Sequence, residues 1–305
     1  MFNLDNNLDY LKLRYSNQSL ELADRVFTWG KFDYNNLCKK FKNYKKKFIL
    51  SGNPRLDFWT KNFDFFFEKK KLKYKDYILF SLNFSFLVSK KEFNKYLIFL
   101  KDSDYVNRGF GIKEAIKQRK DSYKMFKKFS ELITTLSRQT NLKIIVRPHP
   151  TDKLKNYNFL KKYKNVKVVK EGSISEWIYF SRVVVHSGCT GGLEASVRGK
   201  PTISYLPFKS THGHQFTDSL SIKTKNLREC LDMIKRMAKD NIIIKKPNLK
   251  IIKSRAYNLF SDKPGYKIIA DEFVKLMKVK KIKNHNNDLF LKFKFRIRDI
   301  RSKIL

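Results

Sequence analysis

The sequence predicts an α/β protein. One complete doubly wound domain is expected over residues 77–277, preceded by a partial α/β segment at 1–70 and followed by a basic amphipathic tail at 278–305. Three observations carry this expectation. From residue 77 to 208, short β-branched or aromatic runs alternate with helix-length segments, the rhythm of a parallel sheet covered on both faces. Two of those runs lead directly into loops of small or rigid residues. A shorter strand–helix–strand–helix pattern lies upstream, too small to bury a core by itself.

In chain order, 25–30 reads as a strand ending at Gly30, 34–41 as a helix and 48–50 as a second strand stopped by Ser51, Gly52, Asn53 and Pro54. A further helix is expected over 56–67. Residues 77–83 open the larger domain, and 90–140 reads as mainly helical, with apolar residues at helical spacing towards its end. Strands follow at 143–146, 166–169, 183–185 and 202–206, making five, with helices near 154–163, 175–180 and 193–197 between them. Helices at 227–237 and 266–276 close the domain. In the tail Leu289, Phe293, Ile297, Ile300 and Ile304 fall at helical spacing among cations, a pattern suited to packing on the body or to lying on an anionic leaflet.

Composition bounds the function. The 305-residue chain is 42% hydrophobic and carries three tryptophans, which fits a folded protein of about two domains. Its formal net charge is +39, which invites a nucleic-acid reading. Lysine is spread through every polar stretch rather than gathered in one stripe, so an anionic membrane surface or a phosphate-bearing ligand is expected instead. Cys38, Cys189 and Cys230 are odd in number and widely spaced, which points to a reducing compartment and away from a zinc site. No run of about 18 apolar residues and no secretory pattern occurs, so a cytoplasmic protein is expected, peripheral on the inner face of the membrane if it meets one.

Candidate chemistry gathers at the carboxyl ends of the strands, where open α/β sheets bind ligands. Arg147, Pro148, His149 and Pro150 follow the 143–146 strand. Arg147 is a permanently charged fork suited to phosphate oxygens, and His149 can donate to a phosphate or move a proton near neutral pH. Ser187, Gly188, Cys189, Thr190, Gly191 and Gly192 follow the 183–185 strand. Glycines admit close backbone approach, and the N-terminus of the next helix presents unpaired N–H groups to an anion. The same residues would also serve a tight turn with no ligand. Gly172, Ser173 and Ile174 share that rim and suit the edge of a flat base, whereas Trp177 suits the core. Glu194, early in the helix after the glycine turn, suits ribose hydroxyls or plain solvent. His212 and His214 lack nearby Cys or Glu, so no metal is expected, and their loop suits closure over a ligand. No GxSxG elbow, P-loop or HExxH motif occurs.

RPHP at 147–150, the Ser173–Trp177 spacing, HSGCTGGLEASVRGKP at 186–201, SGNPRLD at 51–57 and ILFSLNFS at 78–85 together resemble bacterial surface carbohydrate (polysaccharide or lipopolysaccharide) biosynthesis proteins. Those look like glycosyltransferases built from two Rossmann-type domains, the GT-B plan. The later motifs are also similar to nucleotide-sugar 2-epimerases and polymer glycerophosphotransferases. The resemblance implies a GT-B-like fold that takes a nucleotide-sugar donor as substrate, with no other cofactor, and passes the sugar to a glycan or lipid-linked acceptor. It implies that His149 and Arg147 act at the donor diphosphate and that Ser187, Gly188, Thr190, Gly191 and Gly192 form its phosphate turn. Glu194 would hold the ribose, and Arg55 and Asp57 would stand at an interdomain cleft. Such proteins carry a whole acceptor domain before the equivalent of Thr28, Trp29 and Gly30, whereas 27 residues precede Thr28 here. A shortened acceptor half is therefore expected, with a second chain as the partner that could supply the rest. A nucleotide-sugar epimerase, and a non-catalytic protein binding membranes or nucleic acid, are the alternative readings.

Overall fold

The order in which strands pair determines where a ligand can sit. The structure is a computed structural model, and it describes residues 11, 14–60, 63–68, 74–84, 87, 89–102, 106, 111–210, 215–239, 254–255 and 263–279. The 278–305 tail lies outside the described residues apart from the backbone of 278–279, and the 212–214 loop lies wholly outside them.

The N-terminal part contains α1 (Asn17–Leu22), β1 (Val26–Thr28), α2 (Lys31–Lys40), β2 (Phe48–Leu50), α3 (Pro54–Asp57) and α4 (Phe65–Glu68). The larger unit opens with β3 (Tyr77–Ser81), α5 (Lys90–Asp102), α6 (Ile112–Gln139) and β4 (Ile144–Arg147). A 3-10 segment (Leu154–Lys162), β5 (Val166–Val168), α7 (Ile174–Tyr179), β6 (Ser181–His186) and α8 (Thr190–Val197) follow. It closes with β7 (Thr202–Tyr205), α9 (Gln215–Ser219), β8 (Ile222–Thr224), α10 (Leu227–Lys239) and α11 (Gly265–Val279).

β3 to β8 form one six-stranded sheet in the order β5-β4-β3-β6-β7-β8, every neighbouring pair parallel. This is the doubly wound order, and its direction of travel reverses between β3 and β6. The sixth strand, β8, was not expected. Its three residues are too few and too mixed to show a strand pattern, and they are extended because they pair with Ile203–Tyr205 of β7.

Alternation along the strands sorts the core into two layers, as a sheet covered on both faces requires. Ile78, Phe80, Ile144, Val146, Val183, Val185 and Ile203 join Met125, Phe129 and Leu132 of α6 and Ile234 of α10 on one face. Tyr77, Leu79, Ile145 and Val184 join Trp177 and Ile178 of α7 and Ala195 of α8 on the other. Trp177 is thus a core residue, its indole N–H donating to the Glu171 carbonyl at 2.9 Å.

β1 and β2 pair in parallel as a separate two-stranded sheet. The single helix expected over 56–67 is instead two short turns, α3 and α4. Asn53 caps α3 by accepting from Arg55 N–H at 2.9 Å, Pro54 sits in its first turn, and the Thr60 hydroxyl bonds back to the Asp57 carbonyl at 2.7 Å as the turn ends. Asp57 is buried, and its carboxylate accepts from the N–H groups of Gly265 and Tyr266 at 3.1 Å each. A residue 208 positions upstream therefore caps α11, an interaction of about 1 kcal/mol. Arg25 pairs with Glu272 at 3.3 Å, and Phe27 meets Phe273. α11 thus packs on the N-terminal segment, although its sequence position follows the larger unit.

Candidate ligand site at the sheet rim

Where the winding reverses, loops leaving β3 and β6 diverge and open a crevice at the carboxyl ends of the strands. The register places Arg147, Ser81, His186 and Ser204 side by side across β4, β3, β6 and β7 at that rim. Arg147 and His186 are two strand spacings apart, about 10 Å. The two loops singled out in the sequence therefore flank one crevice.

Each side chain in this row holds the loop beside it. The buried Arg147 guanidinium donates to the carbonyls of Glu171 at 2.7 Å and Gly172 at 2.5 Å. Two of its N–H groups thus bond the protein's own backbone and set the position of the Gly172–Ser173–Ile174 loop. Gly172 has φ +70°, and the Ser173 hydroxyl caps α7 by accepting from Ser175 N–H at 3.2 Å. Ile174, the first residue of α7, packs half-buried against the core layer of Tyr77, Leu79 and Trp177.

His186 was not expected to matter, and it braces the glycine turn. Its Nδ1 accepts from Gly188 N–H at 2.8 Å, so the proton sits on Nε2, which donates to Ser221 Oγ at 2.8 Å. Ser221 passes its own hydrogen to the Thr217 carbonyl at 3.2 Å. The ring is fully buried, and burial pushes its pKa down to about 3. Gly188 adopts φ +74°, where a side chain would be strained.

The next two glycines answer to packing. A Cβ on Gly191 would lie 2.4 Å from Ser81 Oγ, and one on Gly192 would lie 2.5 Å from the His186 ring. Only glycine lets the start of α8 approach β3 and His186 so closely. Cys189 occupies the N-cap of α8 without a side-chain cap bond of hydrogen-bond geometry, and its thiol faces the N–H groups of Gly191 and Gly192. Its buried thiol lies 3.2 Å from Ser81 Oγ, and burial raises its pKa. Thr190 stands half-buried at the helix start, and Ser187 is buried in the turn.

Across the crevice, the His149 loop is tied down on three sides. His149 N–H donates to Asp152 Oδ2 at 3.3 Å, the Tyr157 hydroxyl donates to the same oxygen at 2.8 Å, and Lys170 donates to the carbonyls of Pro150 and Asp152 at 2.7 Å each. His149 Nδ1 accepts from Thr151 N–H at 3.3 Å and lies 2.8 Å from Thr151 Oγ1. Nε2 therefore carries the proton and meets no described residue. Burial lowers the His149 pKa, with the Lys170 charge acting in the same direction and Asp152 opposing it. The ring is thus a neutral N–H donor at neutral pH.

Glu194 is fully buried on α8. Its Oε1 accepts from Arg198 Nε at 3.3 Å, while Oε2 has no hydrogen-bond partner among the described residues. Burial raises the carboxyl pKa against the favourable effects of Ser175, Arg198 and Arg55. Arg198 also donates to Asp64 at 2.8 Å and to the Phe58 carbonyl, joining α8 to the N-terminal segment. Arg55 is exposed and acts on Glu194 through its charge, and Asp57 caps α11, while its neighbours Leu56 and Trp59 pack on Leu193 and Phe216 of the larger unit. Asp152, Tyr157, Ser81 and His186 are the residues that sequence reasoning missed. The register of Ser81 with both rim loops is the signal that could have found two of them. Among the described residues no cluster of His, Cys, Asp and Glu suits a metal ion, and no helix is long and apolar enough to cross a membrane.

No protein-family model matches the chain, and no curated protein sequence matches it. Among solved structures it is similar to the UDP-GlcNAc 2-epimerase of Methanocaldococcus jannaschii in complex with UDP-GlcNAc and UDP, at 17% identity and TM-score 0.45, over 82% of this chain and 61% of that one. The Neisseria meningitidis UDP-GlcNAc 2-epimerase bound to UDP-GlcNAc gives 12% identity and TM-score 0.46 over 89% of this chain and 68% of that one. The wall teichoic acid polymerase TagF gives 12% and 0.45 over 88% and 61%. The fold assigned to the chain rests on its own strand order, since these likenesses have TM-scores below 0.5.

Gly192→Ala should lower the unfolding free energy by about 1–3 kcal/mol, because the imidazole it meets is held at both nitrogens. Gly191→Ala should cost less, since Ser81 Oγ can rotate away; urea denaturation of the two variants measures both. His186 is neutral in the folded chain to about pH 3 but takes up a proton near its ordinary 6.5 when unfolded. The unfolded state binds more protons between those values, so stability is complete above pH 6.5 and falls as pH drops towards 3, by up to about 1.4 kcal/mol per unit. His186→Gln should flatten that slope.

Proposed function

We propose that the chain binds a nucleotide-activated sugar at the β3/β6 rim and belongs to a glycosyl-transfer system of surface polysaccharide assembly, with a glycan or lipid-linked molecule as acceptor. The observation that carries this reading is the position of a glycine turn and a histidine N–H donor on opposite sides of the reversal point, beside a buried carboxylate oxygen that lacks a partner. A nucleoside diphosphate matches those three features in order. Its phosphates would take the leading N–H groups of α8 and the Nε2–H of His149. Its ribose would donate to Glu194 Oε2, ending the cost of an unsatisfied buried oxygen. Its base would lie along the Gly172–Ile174 loop that Arg147 holds in place.

The chemical role follows from charge. Breaking a glycosyl–phosphate bond leaves negative charge on the departing diphosphate, and donors fixed before reaction stabilise that charge without reorganising. His149, neutral and already oriented by Thr151 and Asp152, donates there; Arg147 contributes by positioning the loop beside it. The resemblance to surface carbohydrate proteins supports the choice of donor. A second chain supplying acceptor-side residues, and a peripheral place on the cytoplasmic membrane face, belong to the same proposal.

Calorimetric titration with UDP, CDP and GDP tests the reading. At least one should bind, and His149→Ala should weaken it about tenfold, the equivalent of one hydrogen bond to a charged group. Binding by none of the three contradicts the proposal. Conversion of the sugar within a bound nucleotide sugar, without acceptor, would point to epimerase chemistry instead.

A further inference from the structure

α6 is longer than the sheet it covers. Its 28 residues span about 42 Å at 1.5 Å per residue. Only the stretch from Met125 to Leu136 enters the main core; before it, Ala115 and Ser122 are the buried residues. The N-terminal half therefore lies beside α5 rather than against the strands. The base of this α5–α6 hairpin is fixed at the rim, where Glu92 of α5 bonds Lys153 after β4 and Asn156 donates to the Leu87 carbonyl at 3.1 Å.

Between the two helices runs a groove of about 410 Å³, lined by Phe93 of α5 and by Ile116, Arg119, Tyr123 and three lysines of α6, Lys120, Lys124 and Lys127. Lys113 and Lys117 continue the lysine row at spacings of three and four, so all five share one helix face. All five are exposed, and none forms an ion pair or hydrogen bond with a described residue. Lys124 has only the Phe208 ring, 4.2 Å away. The same hairpin carries exposed apolar side chains: Ile116 at 38% relative exposure in the groove, and Ile98 at 57% and Phe99 at 55% on α5.

We infer that this hairpin is a docking face for an anionic lipid surface. Five lysines without an ion pair to a described residue match a layer of phosphate headgroups, and the exposed Ile116 of the groove, with Ile98 on α5, matches the boundary between headgroup and acyl chain. Nucleic acid fits less well. Single strands stack bases on open aromatic faces, but the groove rings of Phe93 and Tyr123 are already covered by the Arg119 guanidinium at 4.6 and 5.2 Å. Docking here would hold the ligand crevice close to the bilayer, because the base of the hairpin is part of its rim. The inference stands on surface chemistry and does not depend on the nucleotide proposed above.

Flotation of the full chain with vesicles of phosphatidylglycerol and phosphatidylcholine, at 0.15 M salt, tests it. Each lysine near an anionic surface contributes about a fivefold factor in partitioning. The triple variant Lys120→Glu/Lys124→Glu/Lys127→Glu should therefore lose far more than tenfold. Lys42→Glu/Lys45→Glu/Lys46→Glu, with the same charge change on an exposed part of the N-terminal segment, should lose less than threefold. Ile98→Trp should show blue-shifted emission with anionic vesicles and none with phosphatidylcholine alone, and circular dichroism checks that each variant is folded. Equal losses in both triple variants, no loss in the first, or an unshifted Ile98→Trp would overturn the assignment. Oligonucleotide binding as tight as vesicle binding and abolished by the same three changes would overturn it in favour of nucleic acid.

Discussion

The close approach of α8 to β3 and His186 is the constraint on which the rest of the rim depends. With a hydroxyl 2.4 Å from where a Cβ of Gly191 would stand and an imidazole 2.5 Å from that of Gly192, the helix can start there only if both positions lack side chains. That start directs the leading N–H groups of α8 into the crevice where the sheet reverses direction. It also brings Glu194 to Arg198, whose guanidinium pairs in turn with Asp64 of the N-terminal segment. The glycines therefore act first through packing, and the anion site is what that packing leaves exposed.

The polar row across the rim shows the same division of labour. Arg147, His186 and Ser204 all look available for ligand when read as residue types. In the fold Arg147 holds the Gly172 loop, His186 holds Gly188, and Ser204 donates to Asp218 at 2.5 Å. What has no partner among the described residues is smaller: the Nε2–H of His149 and one buried oxygen of Glu194, near the start of α8. A site whose donors are fixed by neighbouring bonds loses little in reorganisation when a charged group arrives.

Much of the fold was legible in the sequence because a parallel strand covered on both faces reads as a continuous β-branched run. Tyr77–Ser81, Ile144–Arg147 and Ser181–His186 show that pattern plainly. β8 does not, since its three residues owe their conformation to a neighbour rather than to their own pattern. The split of the 56–67 region into two turns was hidden because Asn53 and Thr60 act locally through capping bonds, and Pro54 through its fixed φ, none of which hydrophobic periodicity can register. The candidate site was legible as loops but not as roles. Spacing brought Arg147, His149 and the glycine turn to one rim, yet it could not say that the guanidinium turns to backbone carbonyls. Nor could it assign Asp57 to cap a helix 208 residues away, since that bond exists only after the chain has folded back.

A diphosphate bound at the reversal point between β3 and β6 would lie between the α8 start and His149. A crystal structure of the chain grown with the nucleoside diphosphate that binds it tests this most directly. The account predicts phosphate oxygens within hydrogen-bond reach of the Thr190 and Gly191 N–H groups and of His149 Nε2, with a ribose hydroxyl on Glu194 Oε2. A nucleotide bound elsewhere, with His149 Nε2 and Glu194 Oε2 both still unpartnered, would contradict it.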